Sequence, residues 1–168
     1  MIPAVLALGS NLGDREATIR EATRDIAAIP GVVVTAASGI VETAALKVDG
    51  VDATAPPYLN AALAISTSLT PAALLDAIAR IEQAHGRVRQ ERWGDRTLDI
   101  DIITMGQLVL ESERLTIPHP RAAERAFVLA PWLAIEPDAV LPGTGRRVAD
   151  LLQATTDDVR PYGAEALL

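Results

Sequence analysis

Two carboxylates stand two residues apart in Leu98-Asp99-Ile100-Asp101-Ile102-Ile103. In an extended strand alternate side chains share a face, so Asp99 and Asp101 point the same way, with Cα atoms roughly 6–7 Å apart. Ile100 and Ile102 then point the other way. A carboxylate pair in so apolar a strand is costly unless a cation neutralises it. Two hard oxygen donors at this spacing suit Mg²⁺, which takes one or two carboxylates and completes its shell with water and phosphate oxygens. An edge strand with one solvated face is the plain alternative.

Just upstream, Arg87-Val88-Arg89-Gln90-Glu91-Arg92-Trp93-Gly94-Asp95-Arg96 places four arginines on one stretch. Guanidinium forks match phosphate oxygens and stay charged. Alone, such a stretch reads as a solvated charge run. Beside two metal-binding carboxylates it makes sense if both grip one polyphosphate, the metal on one side and the guanidiniums on the other. A third polar group follows in Arg114-Leu115-Thr116-Ile117-Pro118-His119-Pro120, with Arg121 and Arg125 behind it. His119, held between prolines, could be a ligand or a structural hydrogen-bonder; His85, at a helix end, reads as structural. Tyr58, Trp93 and Phe127 are placed where rings could stack on a flat heterocycle, although ordinary packing would explain each singly. Tyr58 and Asn60 share a strand face, and Asn60 offers an acceptor and two donors to a ring edge.

The elements that must position these residues follow from apolar spacing and punctuation. Pro3 to Leu8 reads as a buried strand. Gly9 to Asp14 is a turn ending on an N-cap candidate, Asp14. Ile19, Ala22, Ile26 and Ile29 recur at helical spacing, predicting a helix from Arg15 to Ile29 stopped by Pro30-Gly31. Val32 to Glu42 is strand-like, and Thr43 to Pro57 is a long loop. Tyr58 to Ser68 is a strand. Thr70-Pro71 opens a helix with the stripe Leu74, Leu75, Ile78 and Ile81, closed near Gly86. Arg87 to Thr97 is a second long loop and Leu98 to Met105 a strand. Gly106-Gln107 turns into Leu108–Leu110. A helical region interrupted by Pro131 spans roughly Arg121 to Ile135, and a short helix lies near Val148–Leu152. The order predicts an α+β, ferredoxin-like βαββαβ sandwich with additional C-terminal elements, in one domain over residues 1–168.

Composition excludes several chemistries. The 168 residues include no cysteine and two histidines, which removes thiolate sites and disfavours a multi-histidine metal centre. Net charge is -7, unlike a general nucleic-acid or anionic-membrane binder. Lys47 is the single lysine against fourteen arginines, and none stands after a glycine-rich turn, so a Walker-type phosphate loop is absent. The opening MIPAVLALGSNLGD lacks a basic region and its apolar run is short. No stretch approaches the roughly 18 apolar residues of a membrane span. The expected compartment is the cytoplasm.

Taken together, Gly9-Ser10-Asn11, Tyr58-Leu59-Asn60-Ala61, Arg92-Trp93-Gly94-Asp95-Arg96-Thr97-Leu98-Asp99-Ile100-Asp101-Ile102 and Pro118-His119-Pro120 resemble the 6-hydroxymethyl-7,8-dihydropterin pyrophosphokinase family of folate synthesis. The resemblance runs from Ala7 to about Pro142. It implies a ferredoxin-like fold and transfer of a diphosphate from ATP to the hydroxymethyl group of a reduced pterin, releasing AMP. It further implies two Mg²⁺ ions on Asp99 and Asp101, with Arg87 and Arg96 closing over the phosphates and Arg89 and Trp93 moving with them. Glu82, Ile102, Arg114, Thr116, His119 and Arg125 are expected to line the ATP site. Tyr58 and Phe127 would sandwich the pterin, with Thr43, Asn60 and the Leu46 backbone on its edge and Trp93 beside it. A monomer with no nucleic-acid or membrane partner is expected. The chain departs from the family pattern at Asp95, where proline is common, at Ala44-Ala45, and at Val41, where an aromatic is often found. Those departures bear on the two long loops.

Two other readings use the same residues. A non-catalytic nucleotide-sensing domain would bind ATP without forming AMP. A Mg²⁺-dependent phosphoester hydrolase would act without a pterin, although the acidic charge disfavours a nucleic-acid substrate.

Overall fold

The computed structural model describes residues 1–47, 50–52, 57–86, 97–163 and 167, with side-chain placement for all of these except 45–47 and 50–52. In chain order the described elements are β1 (Ile2–Ser10), α1 (Arg15–Ala27), β2 (Val32–Ala37), β3 (Val41–Thr43), β4 (Ala45–Lys47), β5 (Gly50–Asp52), β6 (Tyr58–Thr67), α2 (Pro71–Ala84) and β7 (Asp99–Met105). They continue with β8 (Leu110–Glu111), β9 (Thr116–Ile117), a 3-10 turn (Ala122–Glu124), α3 (Ala126–Ile135), β10 (Val140–Leu141), β11 (Arg146–Arg147), α4 (Val148–Ala154) and β12 (Arg160–Pro161).

One antiparallel sheet runs β12-β3-β6-β1-β7, and β2 pairs with the far half of β6. Alternation along the strands separates two cores. Leu6, Leu8, Leu59, Leu63, Ile100 and Ile102 pack against Ile19 and Ile26 of α1 and Leu74 and Ile78 of α2. Val5, Ala62 and Ile103 face the other way, onto Val128, Leu129 and Trp132 of α3 and Leu151 of α4. The sheet is therefore covered on both faces.

Both long helices begin as read. The Asp14 side chain accepts from Ala17 N at 3.1 Å, and Thr70 Oγ1 accepts from Ala73 N at 3.1 Å. α1 stops at Ala27, short of the expected Ile29, because Pro30 pushes the residue before it out of helical geometry.

Four expectations need correction. Val32 to Glu42 is not one strand but β2 and β3, laid end to end along β6. Ser38 makes the break: its N donates to Ala62 O at 2.9 Å, and its Oγ accepts from Ala62 N at 2.9 Å. One hydroxyl thus replaces a ladder partner. Within Thr43–Pro57, the segments β4 and β5 pair as a hairpin, with Ala45 opposite Asp52 and Lys47 opposite Gly50. Strands of three residues are too short to carry an apolar alternation. Pro131 does not interrupt its helix; α3 passes through it. An interior proline costs about 3 kcal/mol, which burial of Leu129 and Trp132 between sheet and α4 offsets. Gly9 and Ser10 do not belong to the turn before Asp14 but to β1, because they pair with Asn60 and Leu59 of β6.

β7 contains an irregularity that the alternation alone does not reveal. Val5 faces Thr104 and Leu6 faces Ile102, so no β1 residue faces Ile103. This bulge lets Ile102 and Met105, three apart, both reach the α1–α2 core. Among the described residues no helix is long and apolar enough to cross a membrane.

Candidate active site

Strand register brings the polar residues into adjoining rows. Asp99 of β7 lies opposite Gly9 of β1, which lies opposite Asn60 of β6, which lies opposite Val41 of β3. The neighbouring rows hold Asp101 opposite Ala7, and Tyr58 opposite Thr43. Asp99 and Asp101 alternate with buried Ile100 and Ile102, as their spacing requires, so both carboxylates occupy the face away from α1 and α2.

Gly9 leaves room for its neighbour. A Cβ there would sit 2.9 Å from Asn60 Oδ1 and 3.8 Å from Tyr58 Cδ1. Buried Asn60 lies across the bare glycine and donates from Nδ2 to Thr43 Oγ1 at 3.2 Å. Glycine inside a strand marks such close approaches.

A basic cluster adjoins the carboxylates. His119 N donates to Ile103 O at 2.9 Å, which docks the Pro118–Pro120 turn on the outer edge of β7. His119 Nε2 then lies 3.8 Å from Asp101 Oδ2. Nδ1 accepts from Arg121 N at 3.2 Å, so the neutral ring carries its proton on Nε2, toward the carboxylate. Burial lowers the His119 pKa to about 4, with Arg125 and Arg121 adding to the depression and Asp99 opposing it. The ring is uncharged at neutral pH, so this contact is a dipole on a carboxylate rather than an ion pair. Burial also pulls Arg125 below its ordinary range, against the stabilising charge of Asp101. The Arg125 guanidinium carbon stands 5.5 Å from the Phe127 ring centroid. Half-buried Phe127 projects from the first turn of α3, on the same side of the sheet as Asn60.

Glu82, Arg114 and Ile102 lie on the α2 side of β7. Glu82, buried on α2, accepts from Ile100 N through Oε2 at 3.0 Å. Arg114 is exposed and pairs with Asp76 of α2. Thr116 is half-buried in β9. Ile102 presents its side chain to the helical core rather than to the carboxylate face. Leu46 lies on β4. Arg87, Arg89, Trp93, Asp95 and Arg96 lie outside the described residues. Arg121 joins the cluster through its backbone N–H on His119. His85 serves structure, as expected: its Nε2 lies 2.8 Å from Asp25 Oδ2, joining the ends of α1 and α2.

Among the described residues no group of three or more acidic, histidine or cysteine side chains could hold a metal ion. Two carboxylates remain, a donor set that fits an ion keeping most of its shell as water and phosphate oxygens.

Residues 5–137 match the family model described as 7,8-dihydro-6-hydroxymethylpterin-pyrophosphokinase. The chain belongs to that family. The pyrophosphokinase match spans every candidate residue above and stops before α4. A 2-amino-4-hydroxy-6-hydroxymethyldihydropteridine pyrophosphokinase of Methylorubrum extorquens is 44% identical over 149 residues, covering 89% of this chain and 92% of the relative. The Bacillus subtilis pyrophosphokinase is 45% identical over 132 residues, covering 79% and 77%. Among solved structures, Plasmodium falciparum HPPK-DHPS with pteroate superposes with a TM-score of 0.69 at 14% identity. It covers 90% of this chain but 42% of that one, so this chain spans less than half of the Plasmodium protein, and the likeness is one of fold.

Proposed function

We propose that this pyrophosphokinase transfers a diphosphate from ATP to the hydroxymethyl group of 6-hydroxymethyl-7,8-dihydropterin in folate biosynthesis. The observation that carries the reading is the meeting of Asp99 and Asp101 with Gly9, Asn60 and Tyr58 on one sheet face, beside the His119–Arg121–Arg125 cluster. One half can hold a charged polyphosphate and the other a flat ring with a polar edge.

Tyr58 and Phe127 sandwich the pterin, while Thr43, Asn60 and the Leu46 backbone bond its edge and Trp93 lies beside it. Asp99 and Asp101 would hold Mg²⁺, as two ions, which would offset phosphate charge and lower the pKa of the attacking hydroxyl. Arg89, Arg114, Thr116, His119 and Arg125 would line the nucleotide site, with Glu82 and Ile102 backing it from the helical face. Arg87 and Arg96 cover the phosphates. The pterin oxygen forms a bond to the β-phosphorus as the bridge to the α-phosphate breaks, and AMP leaves with the bridging oxygen. The hydroxyl proton passes to a carboxylate or to solvent. Rate enhancement comes chiefly from positioning and charge complementarity.

The ferredoxin-like reading of the fold is supported by the order β2-β6-β1-β7 with α1 and α2 on one face. In that reading residues 1–168 are one domain, with α3, α4 and the short strands as additions. The protein is read as a cytoplasmic monomer. The deciding experiment is AMP release from ATP with and without the hydroxymethyldihydropterin. Pterin-dependent AMP supports the assignment; ATP binding without AMP formation would replace it with a nucleotide-sensing role.

A further inference from the structure

We propose that residues 155–162, which lie beyond the family match, position the pterin wall by tying β3 to the start of α3. The proposal rests on the reading above for its assignment of Thr43, Asn60 and Phe127 to that wall.

α4 ends at Ala154, and Thr155 leaves it in extended geometry. Asp157 Oδ2 accepts a long hydrogen bond from Ala126 N, at 3.4 Å. That donor opens α3, whose N-cap residue Arg125 supplies no side-chain cap. Helix starts leave such N–H groups without partners and favour a carboxylate nearby. Asp157 therefore caps the turn that carries Phe127. Three residues later, Arg160 and Pro161 pair antiparallel with Glu42 and Val41. Tyr162 N donates to Ile40 O at 3.0 Å, and its ring packs on the α1–α2 core.

Beside these ties, Arg160 Nη2 lies 3.5 Å from Glu42 Oε1. A cleft of about 300 Å³ is lined in part by Ala123, Glu124, Thr155, Thr156 and Asp157. Without β12, three-residue β3 would be an edge strand held by β6 alone. β3 carries the Thr43 hydroxyl that accepts from Asn60. One segment thus anchors the edge-reading strand and the ring-bearing helix turn together.

The test uses full-length variants in pairs. Asp157→Ala removes the cap and Asp157→Asn keeps an acceptor. Tyr162→Pro removes the N–H to Ile40, while Tyr162→Ala keeps it and loses only the ring. Steady-state kinetics should show the pterin KM raised about three- to tenfold by Asp157→Ala and by Tyr162→Pro, the size of one lost hydrogen bond. The ATP KM should stay within about twofold, and Asp157→Asn and Tyr162→Ala should keep the wild-type pterin KM, even if Tyr162→Ala lowers Tm. Amide hydrogen exchange at Val41–Thr43, measured without substrate, should quicken about tenfold in Tyr162→Pro. An unchanged pterin KM, or parallel rises in both KM values, would overturn the proposal. If Tyr162→Pro does not fold, the Asp157 pair decides. Because exchange needs no turnover, an inactive wild-type protein would remove the pterin assignment while the segment's hold on β3 is judged separately.

Discussion

Glu82 of α2 accepts a hydrogen bond at 3.0 Å from the backbone N–H of Ile100, the residue between Asp99 and Asp101. Among the described residues β7 has a strand neighbour only on its β1 side, so its outer N–H groups need other partners. A buried side chain on the opposite face of the sheet thereby pins the backbone from which both carboxylates project.

Glu82→Leu should leave the Ile100 N–H buried and unpaired, costing about 1–3 kcal/mol in urea denaturation. Turnover should fall with it, since the carboxylate pair loses its backbone anchor. Glu82→Gln keeps an acceptor and should recover most of the stability. Equal stability of the leucine variant and wild type would show that the bond contributes nothing.

Asp99→Ala and Asp101→Ala should each nearly abolish AMP formation, and excess Mg²⁺ should not restore it. Their far-UV circular dichroism should match wild type, because both side chains are half-exposed on the sheet face. Wild-type rates in either variant would refute the metal-holding role.

Gly9→Ala should disturb Asn60 rather than the backbone, since Gly9 is not among the positive-φ glycines and its missing Cβ would lie 2.9 Å from Asn60 Oδ1. Asn60 is tied to Thr43 and buried, so it cannot move aside freely. The expected outcome is a pterin KM higher by about tenfold, one strong hydrogen bond's worth, with the ATP KM unchanged. A pterin KM equal to wild type would remove Asn60 from the ring edge.

His119 makes metal-free stability depend on pH. Its folded pKa of about 4 lies below the ordinary 6.5, so between those values the unfolded chain holds more protons than the folded one. Stability contributed by the neutral ring is complete above pH 6.5 and is lost as pH falls toward 4. The loss amounts to at most about 3 kcal/mol. Urea unfolding at stepped pH should show a shallower slope for His119→Gln than for wild type across this window; identical slopes would contradict a buried neutral imidazole.

The Ser10 hydroxyl is fully buried and has no hydrogen-bond partner among the described residues. Ser10→Ala removes an unsatisfied polar atom and should stabilise the protein by about 1 kcal/mol, raising Tm by about 2–4 °C. A lower Tm in calorimetry would mean that the hydroxyl is bonded after all.

The main strands and long helices were legible because each carries its own signal. Asp14 and Thr70 mark helix starts, the Leu74–Ile81 stripe fits one helix face, and Asp99-Ile100-Asp101-Ile102 alternates. β4, β5 and β12 were not legible, since two or three residues cannot display a period. The break at Ser38 was hidden for a different reason: its hydroxyl partner Ala62 is 24 residues away.

Residue order by itself determined which side chains carry charge, that Asp99 and Asp101 share a face, and that thiol chemistry is absent. It also carried the family motifs. Only the tertiary structure decided that Gly9 makes room for Asn60, that Glu82 pins Ile100, and that residues from 157 to 162 reach both α3 and β3. Periodicity reports how a segment meets a core, because it arises from the geometry of one helix or strand. Hydrogen bonds such as Glu82 to Ile100, Asp157 to Ala126 and Tyr162 to Ile40 depend on how separate elements are registered, and no single segment encodes that registration.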